Sequence, residues 1–494
     1  MPDLHDLSLL IDSRVAIITI SSHEEQRTLD LLKRVASHIR KPAYSWSITK
    51  GLVRYDVAHA IASSDFTKDP VAVLKSIEKT ADPSLFVLCD YHPYFENAPE
   101  TCRQLREIAM AHSLNGHTVV LLSHEVTVPK ELSSYCASYQ LSLPTAEEIE
   151  QIVRDVAKEW MQTKRKRVAT EPECLKLLVK NLAGLSTKDV ERLARQAIFN
   201  DGAITRDDIT EVNKAKYELL DMGSVVSFEH ETSDFANIGG LGRLKSWISQ
   251  RKPAVLGDIN IPGLSAPKGV LLLGVQGAGK SLAAKAIAGV LSVPLLRLDF
   301  ATLYNKYIGE SEKNLIKALE MSQTMSPCVL WMDEIEKGVG TTGSDNDTSR
   351  RLLGTLLTWM SEKHEGVFIV ATANDIQILP PELIRKGRFD EIFFVDLPNK
   401  QGREEILRIH LKMREQNPDN FAISELADAC DGFSGAEIEQ AVVASLYSAY
   451  GVGQPLATRH VKASFEETSP LSVVMAEQVA SLRAWASSRT VPAE

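Results

Sequence analysis

The octapeptide Gly274-Val275-Gln276-Gly277-Ala278-Gly279-Lys280-Ser281 decides the fold. It fits the pattern G-x-x-x-x-G-K-[S/T], in which a glycine-rich turn lets backbone N–H groups close around phosphate oxygens. The run Gly269-Val270-Leu271-Leu272-Leu273 before it is short and apolar and predicts a buried strand. The stretch Leu282-Ala283-Ala284-Lys285-Ala286-Ile287-Ala288 after it predicts a helix. Strand, loop and helix N-terminus make an anion site, because orphan N–H groups and the helix dipole both favour negative charge there. In that setting Lys280 reaches terminal phosphates and Ser281 offers its hydroxyl to Mg²⁺. The chain is predicted to bind a nucleotide.

Composition sets the frame around this loop. A length of 494 residues points to about two to four domains, each able to bury its own core. With 44% hydrophobic and 24% charged residues the chain reads as an ordinary globular protein. A net charge of −10 disfavours non-specific nucleic-acid binding and docking on anionic membranes. Asp3, Asp6 and Asp12 stand where a signal peptide needs positive charge, and no apolar run is long enough to span a bilayer. Cys89, Cys102, Cys136, Cys174, Cys328 and Cys430 form no C-x-x-C pair and are expected as thiols. No H-E-x-x-H occurs, which excludes a fused zinc protease of that motif.

Downstream of the loop, Cys328-Val329-Leu330-Trp331-Met332-Asp333-Glu334 is an apolar strand ending in two carboxylates. Asp333 suits a Mg²⁺ contact, and Glu334 suits a general base or water-positioner for attack on a γ-phosphate. Val367-Phe368-Ile369-Val370-Ala371-Thr372-Ala373-Asn374 is a further buried strand with a polar tip, and Asn374 can hold the attacking water or the γ-phosphate. Then follows Pro381-Glu382-Leu383-Ile384-Arg385-Lys386-Gly387-Arg388-Phe389-Asp390.

These motifs, in this order, resemble the AAA family of ring-forming ATPases over about residues 234 to 470. The resemblance implies an α/β fold: a P-loop NTPase large domain of three α/β/α layers, with an all-helical lid. It implies ATP and Mg²⁺ as cofactors, with Ser281 and Asp333 toward the metal. Lys280, Asp333, Glu334, Asn374, Arg385 and Arg388 become the catalytic set. The two arginines match fingers that the family inserts into a neighbouring subunit's site, which implies a homo-oligomeric ring, a hexamer by resemblance. Asn237, Ile238 and Gly239 resemble the segment that cups adenine, with Asn237 where the family usually carries Asp. His410 matches a lid position near adenine; an ordinary surface histidine is the alternative. Ser434 is a candidate N-cap of a lid helix. Gly435 and Ala436 follow it, where AAA-like groups outside the narrower family carry a sensor arginine. Tyr307, two residues before Gly309, matches a pore aromatic that grips extended polypeptide, the alternative being local packing. The glycine-rich run from Gly338 to Asp347 matches a second pore loop or is a connector, and Arg350 and Arg351 contact a neighbour or are surface charge.

The first half carries a worn copy of the same pattern. Val15–Ile20 is a β-branched strand leading into a helix, and laying Pro42 on Pro294 puts Ser22 on Gly274, Arg27 on Gly279 and Thr28 on Lys280. Leu85-Phe86-Val87-Leu88-Cys89-Asp90 is a second acid-tipped strand, with Tyr91 expected where Glu334 stands. Leu141–Pro144 matches Val395–Pro398, and Gly184-Leu185-Ser186 matches Gly432-Phe433-Ser434. The reading is a degenerate AAA-like α/β module; an unrelated α/β domain of similar periodicity is the alternative. The expected boundaries are 1–215 for this module with a helical lid and no ATP site, 216–236 for a linker, 237–400 for the large ATPase domain, 401–470 for its lid, and 471–494 for a C-terminal helix or tail.

As a whole the chain resembles a family of AAA proteins of cyanobacteria, algal plastids and some other bacteria, named as a hypothetical chloroplast reading frame. That resemblance implies a cytoplasmic protein, or a stromal one where the source is an alga. Three functions are in play: a ring ATPase remodelling or translocating a protein partner, a nucleotide-gated regulatory scaffold with slow turnover, and, disfavoured by the net acidity, a nucleic-acid motor. No membrane partner is expected.

Overall fold

The computed structural model describes the chain outside residues 1, 57–64, 97, 221–225, 230–237, 258, 260–262, 264, 304–309, 340–345, 363–365, 377 and 386. Asn237, Tyr307 and most of the expected second pore loop therefore lie outside the described residues. Two compact units divide the chain, residues 1–145 with 186–189 and residues 146–185 with 190–494.

In the first unit, β1 (Ile17–Ser21), β2 (Ala43–Ser47), β3 (Gly51–Arg54), β4 (Leu85–Cys89), β5 (Thr118–Ser123) and β6 (Cys136–Tyr139) form one sheet. Its order is β3-β2-β4-β5-β1-β6, parallel throughout except for the β2–β3 hairpin. The central strands are apolar at nearly every position because helices cover both faces, as parallel sheets require. Two separate apolar clusters follow, one on Phe86, Leu88 and Leu121, the other on Ile18, Leu32 and Val120.

The second unit opens with a helical bundle, Ala146–Lys164, Pro172–Leu182, Thr187–Asp201 from residue 190 on, and Arg206–Leu219. Its core packs Val153, Trp160, Leu178, Leu193 and Ile209. A short parallel pair, β7 (Ala169–Thr170) with β8 (Ala203–Ile204), ties its loops together. The main sheet follows: β9 (Val226–Glu229), β10 (Gly269–Gly274), β11 (Leu295–Asp299), β12 (Cys328–Asp333), β13 (Val367–Ala373), β14 (Glu391–Val395) and β15 (Val491–Pro492). Its order is β15-β14-β10-β13-β12-β11-β9, with only β9 antiparallel. The lid helices Lys400–Met413, Ile423–Ala429, Gly435–Gly451 and Thr458–Glu466 close on a core of Leu407, Phe433, Val442 and Phe465.

Two stretches expected to be peripheral belong to this unit's fabric. Part of the 216–236 linker is β9, which pairs with β11, and Tyr217 donates from its hydroxyl to the Val226 carbonyl at 2.5 Å. The 471–494 tail carries the helix Ala476–Ala486 and then β15, which extends the sheet beside β14. The helical bundle also joins this unit rather than the first, so the compact units part near residue 145, well before residue 215. Apolar burial and one hydrogen bond explain that: Tyr217, Leu220 and Phe228 pack against the core of the main sheet, and Lys180 donates to the Leu256 carbonyl at 2.7 Å.

Set aside the antiparallel edge strands and the short β15, and both sheets share one topology. Numbered along the chain, the parallel strands of each lie in the order 2-3-4-1-5. The repeat read in the first half is thus a repeat of architecture. Register corrects one detail. With Ile17 on Gly269, the pairs Ile17–Val119 and Gly269–Ile369 place Leu121 on Ala371. The pairs Leu88–Leu121 and Met332–Ala371 then place Cys89 on Asp333 and Asp90, not Tyr91, on Glu334. Backbone conformation agrees: Asp90 and Glu334 both turn left-handed, with φ of 51° and 47°. Tyr91 instead is buried in the apolar core, its hydroxyl on the Pro70 carbonyl.

Among the described residues no helix is long and apolar enough to cross a membrane, and all six cysteines are free thiols.

Candidate functional site

The phosphate loop is built as its glycines demand. Gly274 ends β10 so close to β14 that a Cβ would stand 2.0 Å from the Val395 carbonyl oxygen. Gly279 caps the following helix Lys280–Leu291 with φ of 94°, a conformation side chains resist. Ala283, Ala284 and Ala286, with no side-chain entropy to lose, bury the helix against the sheet and aim its N-terminus at the loop.

A cavity of about 510 Å³ opens above this loop, within the range of small-molecule sites. It brings together Ile238, Gly239, Gln276, Gly277, Ala278, Gly279, Lys280, Ser281, Leu282, Asp333, Glu334, Asn374, His410, Gly435 and Ala436. Gly274 and Val275 lie below it as the carbonyl acceptors of Lys280, at 2.8 and 2.9 Å. Only 7% exposed, Lys280 holds an ammonium whose pKa burial pushes down to about 8, opposed by Glu336, Asp333 and Glu334. Its donors rest on loop carbonyls, poised for phosphate oxygens.

The two acids are set by neighbouring strands. Thr372 donates from Oγ1 to Asp333 Oδ1 at 2.8 Å and accepts the Glu334 N–H at 3.0 Å. Asn374 Nδ2 donates to Glu334 Oε1 at 3.1 Å, so the polar tips of β12 and β13 act as one group. Lys337 pairs with the other Glu334 oxygen, Oε2. Arg297, from β11, donates to Asp333 Oδ2 at 2.9 Å.

On the lid side, Ile406, Ile409 and His410 wall the cavity opposite Ile238 and Gly239. A Cβ at Gly239 would meet Ile406 Cγ1 at 2.8 Å, so this contact needs a glycine. Glu405 accepts the Gly240 N–H at 2.8 Å, and burial depresses the His410 pKa. Ser434 caps the lid helix Gly435–Gly451 in a reciprocal box with Glu437, which leaves Ala436 N–H free to reach the Gly277 carbonyl at 3.2 Å.

Arg385 and Arg388 are not brought to this cavity. Arg385 is exposed, and Arg388 donates to the Leu357 carbonyl and Ser361 hydroxyl at the end of the helix Asn346–Ser361. Among the described residues, Lys280 is therefore the one lysine or arginine in the lining. Arg350 and Arg351 lie in that same helix, exposed.

Sequence reading missed Glu336. Only 9% exposed, it accepts the Asn374 backbone N–H at 2.9 Å, and burial raises its pKa. An acid two residues past Glu334 carried a faint signal, masked by the stronger pair before it.

Ser281 and Asp333 present hard oxygen donors to one cavity, the chemistry Mg²⁺ selects, with substrate phosphates completing its shell. Among the described residues no three His, Cys, Asp or Glu side chains converge as a metal cage.

The counterpart in the first unit is closed. The helix there begins at Glu25, three positions earlier than the match of Thr28 with Lys280 predicts, so the cradle is replaced by helical turn. Glu24, 6% exposed, accepts from Arg27 at 2.8 Å and from the Lys188 N–H at 3.2 Å. A carboxylate of the chain fills the role an anionic ligand would take.

Comparison with known proteins follows this division. The model described as ATPase family associated with various cellular activities (AAA) matches residues 270–397. Models of the N-terminal and second domains of SpoVK-like AAA ATPases match residues 3–141 and 147–223. The uncharacterized AAA domain-containing protein ycf46 of Pyropia yezoensis is 36% identical over 488 residues, 97% of each chain. That of Guillardia theta is 34% identical over 496 residues, 99% of this chain and 95% of the relative. A proteasome-activating nucleotidase of Aeropyrum pernix is 32% identical over 295 residues, 57% of this chain and 70% of the relative.

Proposed function

This chain belongs to the AAA family of ATPases, in the group that includes the ycf46 proteins, and on that premise we propose that it is an Mg²⁺-dependent ATPase working as a ring of identical subunits, six by resemblance, that remodels or translocates a protein partner. One observation carries the reading: Lys280, Glu334 and Asn374 meet in one cavity whose lining, among the described residues, holds no arginine, while Arg385 and Arg388 lie elsewhere on the chain. Charge on a transferring phosphoryl group calls for an arginine, so it comes from a neighbour.

In this reading the helix N-terminus and Lys280 hold the β- and γ-phosphates. Ser281 and Asp333 would hold Mg²⁺, which neutralises phosphate charge. Glu334, oriented by Asn374, takes a proton from the attacking water. The contact of Ala436 with Gly277 passes loop changes to the lid. Tyr307 grips polypeptide by analogy with the family, and similarity to a proteasome-activating nucleotidase supports a protein substrate. The compartment is cytoplasmic, or stromal where the source is an alga.

Arg388→Ala and Lys280→Ala should each abolish turnover, and mixing them should restore part of it at sites that pair an intact Lys280 with a neighbour's Arg388. Absence of recovery, with mixed oligomers verified by native mass spectrometry, would overturn the shared-site reading. A slow nucleotide-gated scaffold is the second reading, favoured because Asp333 and Glu334 are both held by cations of the same chain. ATP-induced assembly without ATP consumption would select it.

A further inference from the structure

Arg297 lies on β11, opposite Ser227 of β9 on one side and Trp331 of β12 on the other. Its guanidinium stacks over the Trp331 ring at 4.9 Å and donates to Asp333 Oδ2 at 2.9 Å. The same guanidinium stands 3.9 Å from Glu229 Oε1, on the edge strand that descends from the helical bundle. Glu229 is held from its other oxygen by Lys285 at 3.2 Å. With Thr372 on Oδ1, both oxygens of Asp333 are occupied by protein donors. Two acids therefore share one arginine, and only one of them faces the nucleotide cavity.

We infer that Arg297 is a positioning residue for Asp333, and that Glu229 on β9 sets how readily Asp333 is released to a divalent cation. The inference rests on the ATPase reading above. A cation beside Asp333 repels a guanidinium at hydrogen-bond distance, and Glu229 is the acceptor waiting on its far side. Retreat of Arg297 toward Glu229 exchanges one ion pair for another, so the acid on β9 favours the cation-bound state. Because β9 begins at the Val226 carbonyl that Tyr217 holds, displacement of the bundle would move Glu229 and change the cation affinity of the ATP site. The strand joining the bundle to the ATPase sheet becomes an input to the metal site.

The test is a double-mutant cycle on the full chain, read as Mn²⁺ binding by electron paramagnetic resonance in the presence of ADP. Glu229→Gln should weaken Mn²⁺ about threefold and Arg297→Met should tighten it about threefold, the range of a partly exposed ion pair. In the Arg297→Met background, Glu229→Gln should change nothing, since its effect acts through the guanidinium. Arg297→Lys, which keeps the charge, should restore sensitivity to Glu229→Gln, and melting temperatures identify any variant that fails to fold. Equal effects of Glu229→Gln with and without Arg297, or no effect in either background, would overturn the inference. If the unmodified chain binds no Mn²⁺ with ADP, the ATPase reading itself fails instead.

Discussion

Two strand-to-helix turns in this chain share a topology and have opposite fates. After β10, five residues, Val275–Gly279, form an open cradle before the helix starts at Lys280. After β1, three residues, Ser22–Glu24, suffice before the helix starts at Glu25. The extra helical turn consumes the N–H groups that would have faced a phosphate. Glu24 then supplies the negative charge that the helix N-terminus still favours. The lid residues answer in kind: Ala436 N–H reaches the Gly277 carbonyl, and the matching Lys188 N–H reaches the Glu24 carboxylate. In the first turn a carboxylate of the chain itself stands at the helix N-terminus, and the apolar strands around both turns keep one order.

The largest test of this contrast is stoichiometry. Isothermal titration should find one nucleotide per chain, and Lys280→Ala should weaken it about 100-fold or more, the loss of charge-assisted bonds to phosphate. A second equivalent surviving in Lys280→Ala would show that the first unit still binds. A smaller effect is expected from Glu24→Ala, which takes the acceptor from the Lys188 N–H and leaves Arg27 with the Ser142 carbonyl. It should destabilise the first unit by about 1–3 kcal/mol, seen as a lower calorimetric transition, with nucleotide affinity unchanged. Weaker nucleotide binding in Glu24→Ala would break the separation of the two turns.

Much of the active turn was legible in sequence, because its chemistry is local. The glycines at fixed spacing, Lys280 and Ser281 are neighbours in the chain, the two acids are neighbours of one another at a strand end, and the cavity brings the two groups together. The closed turn was legible as an absence of those residues, but not in its mechanism, since nothing in Ser22–Thr28 announces where the helix begins. The one-residue slip at Asp90 has a similar cause. The segments between β2 and β4 and between β11 and β12 differ in length, so matching acid to acid was the only guide until strand register supplied another. Arg297 and Glu229 were illegible because their meaning lies across strands, where β9 pairs with β11. The edge strands β9 and β15 are short, and alternation over so few residues carries little signal.

The finest test uses pH. Lys280 and Glu24 are both buried charges at a helix N-terminus, but Glu24 is paired with Arg27 while Lys280 waits on carbonyls. Burial lowers the Lys280 pKa to about 8, despite the pull of Glu336, Asp333 and Glu334. Phosphate in the cradle favours the ammonium, so the bound state keeps its proton to higher pH. Affinity should therefore be full below pH 8 and decline as pH rises past it, by about tenfold for each unit above. Titrations at pH 7 and pH 9 should differ by about that factor, with proton uptake on binding at the higher pH revealed by buffers of different ionisation enthalpy. Lys280→Arg, whose guanidinium stays charged, should flatten the profile even if its affinity is lower. A profile equally steep in Lys280→Arg would assign the titration to the acids around the cradle and remove the lysine's part in the contrast.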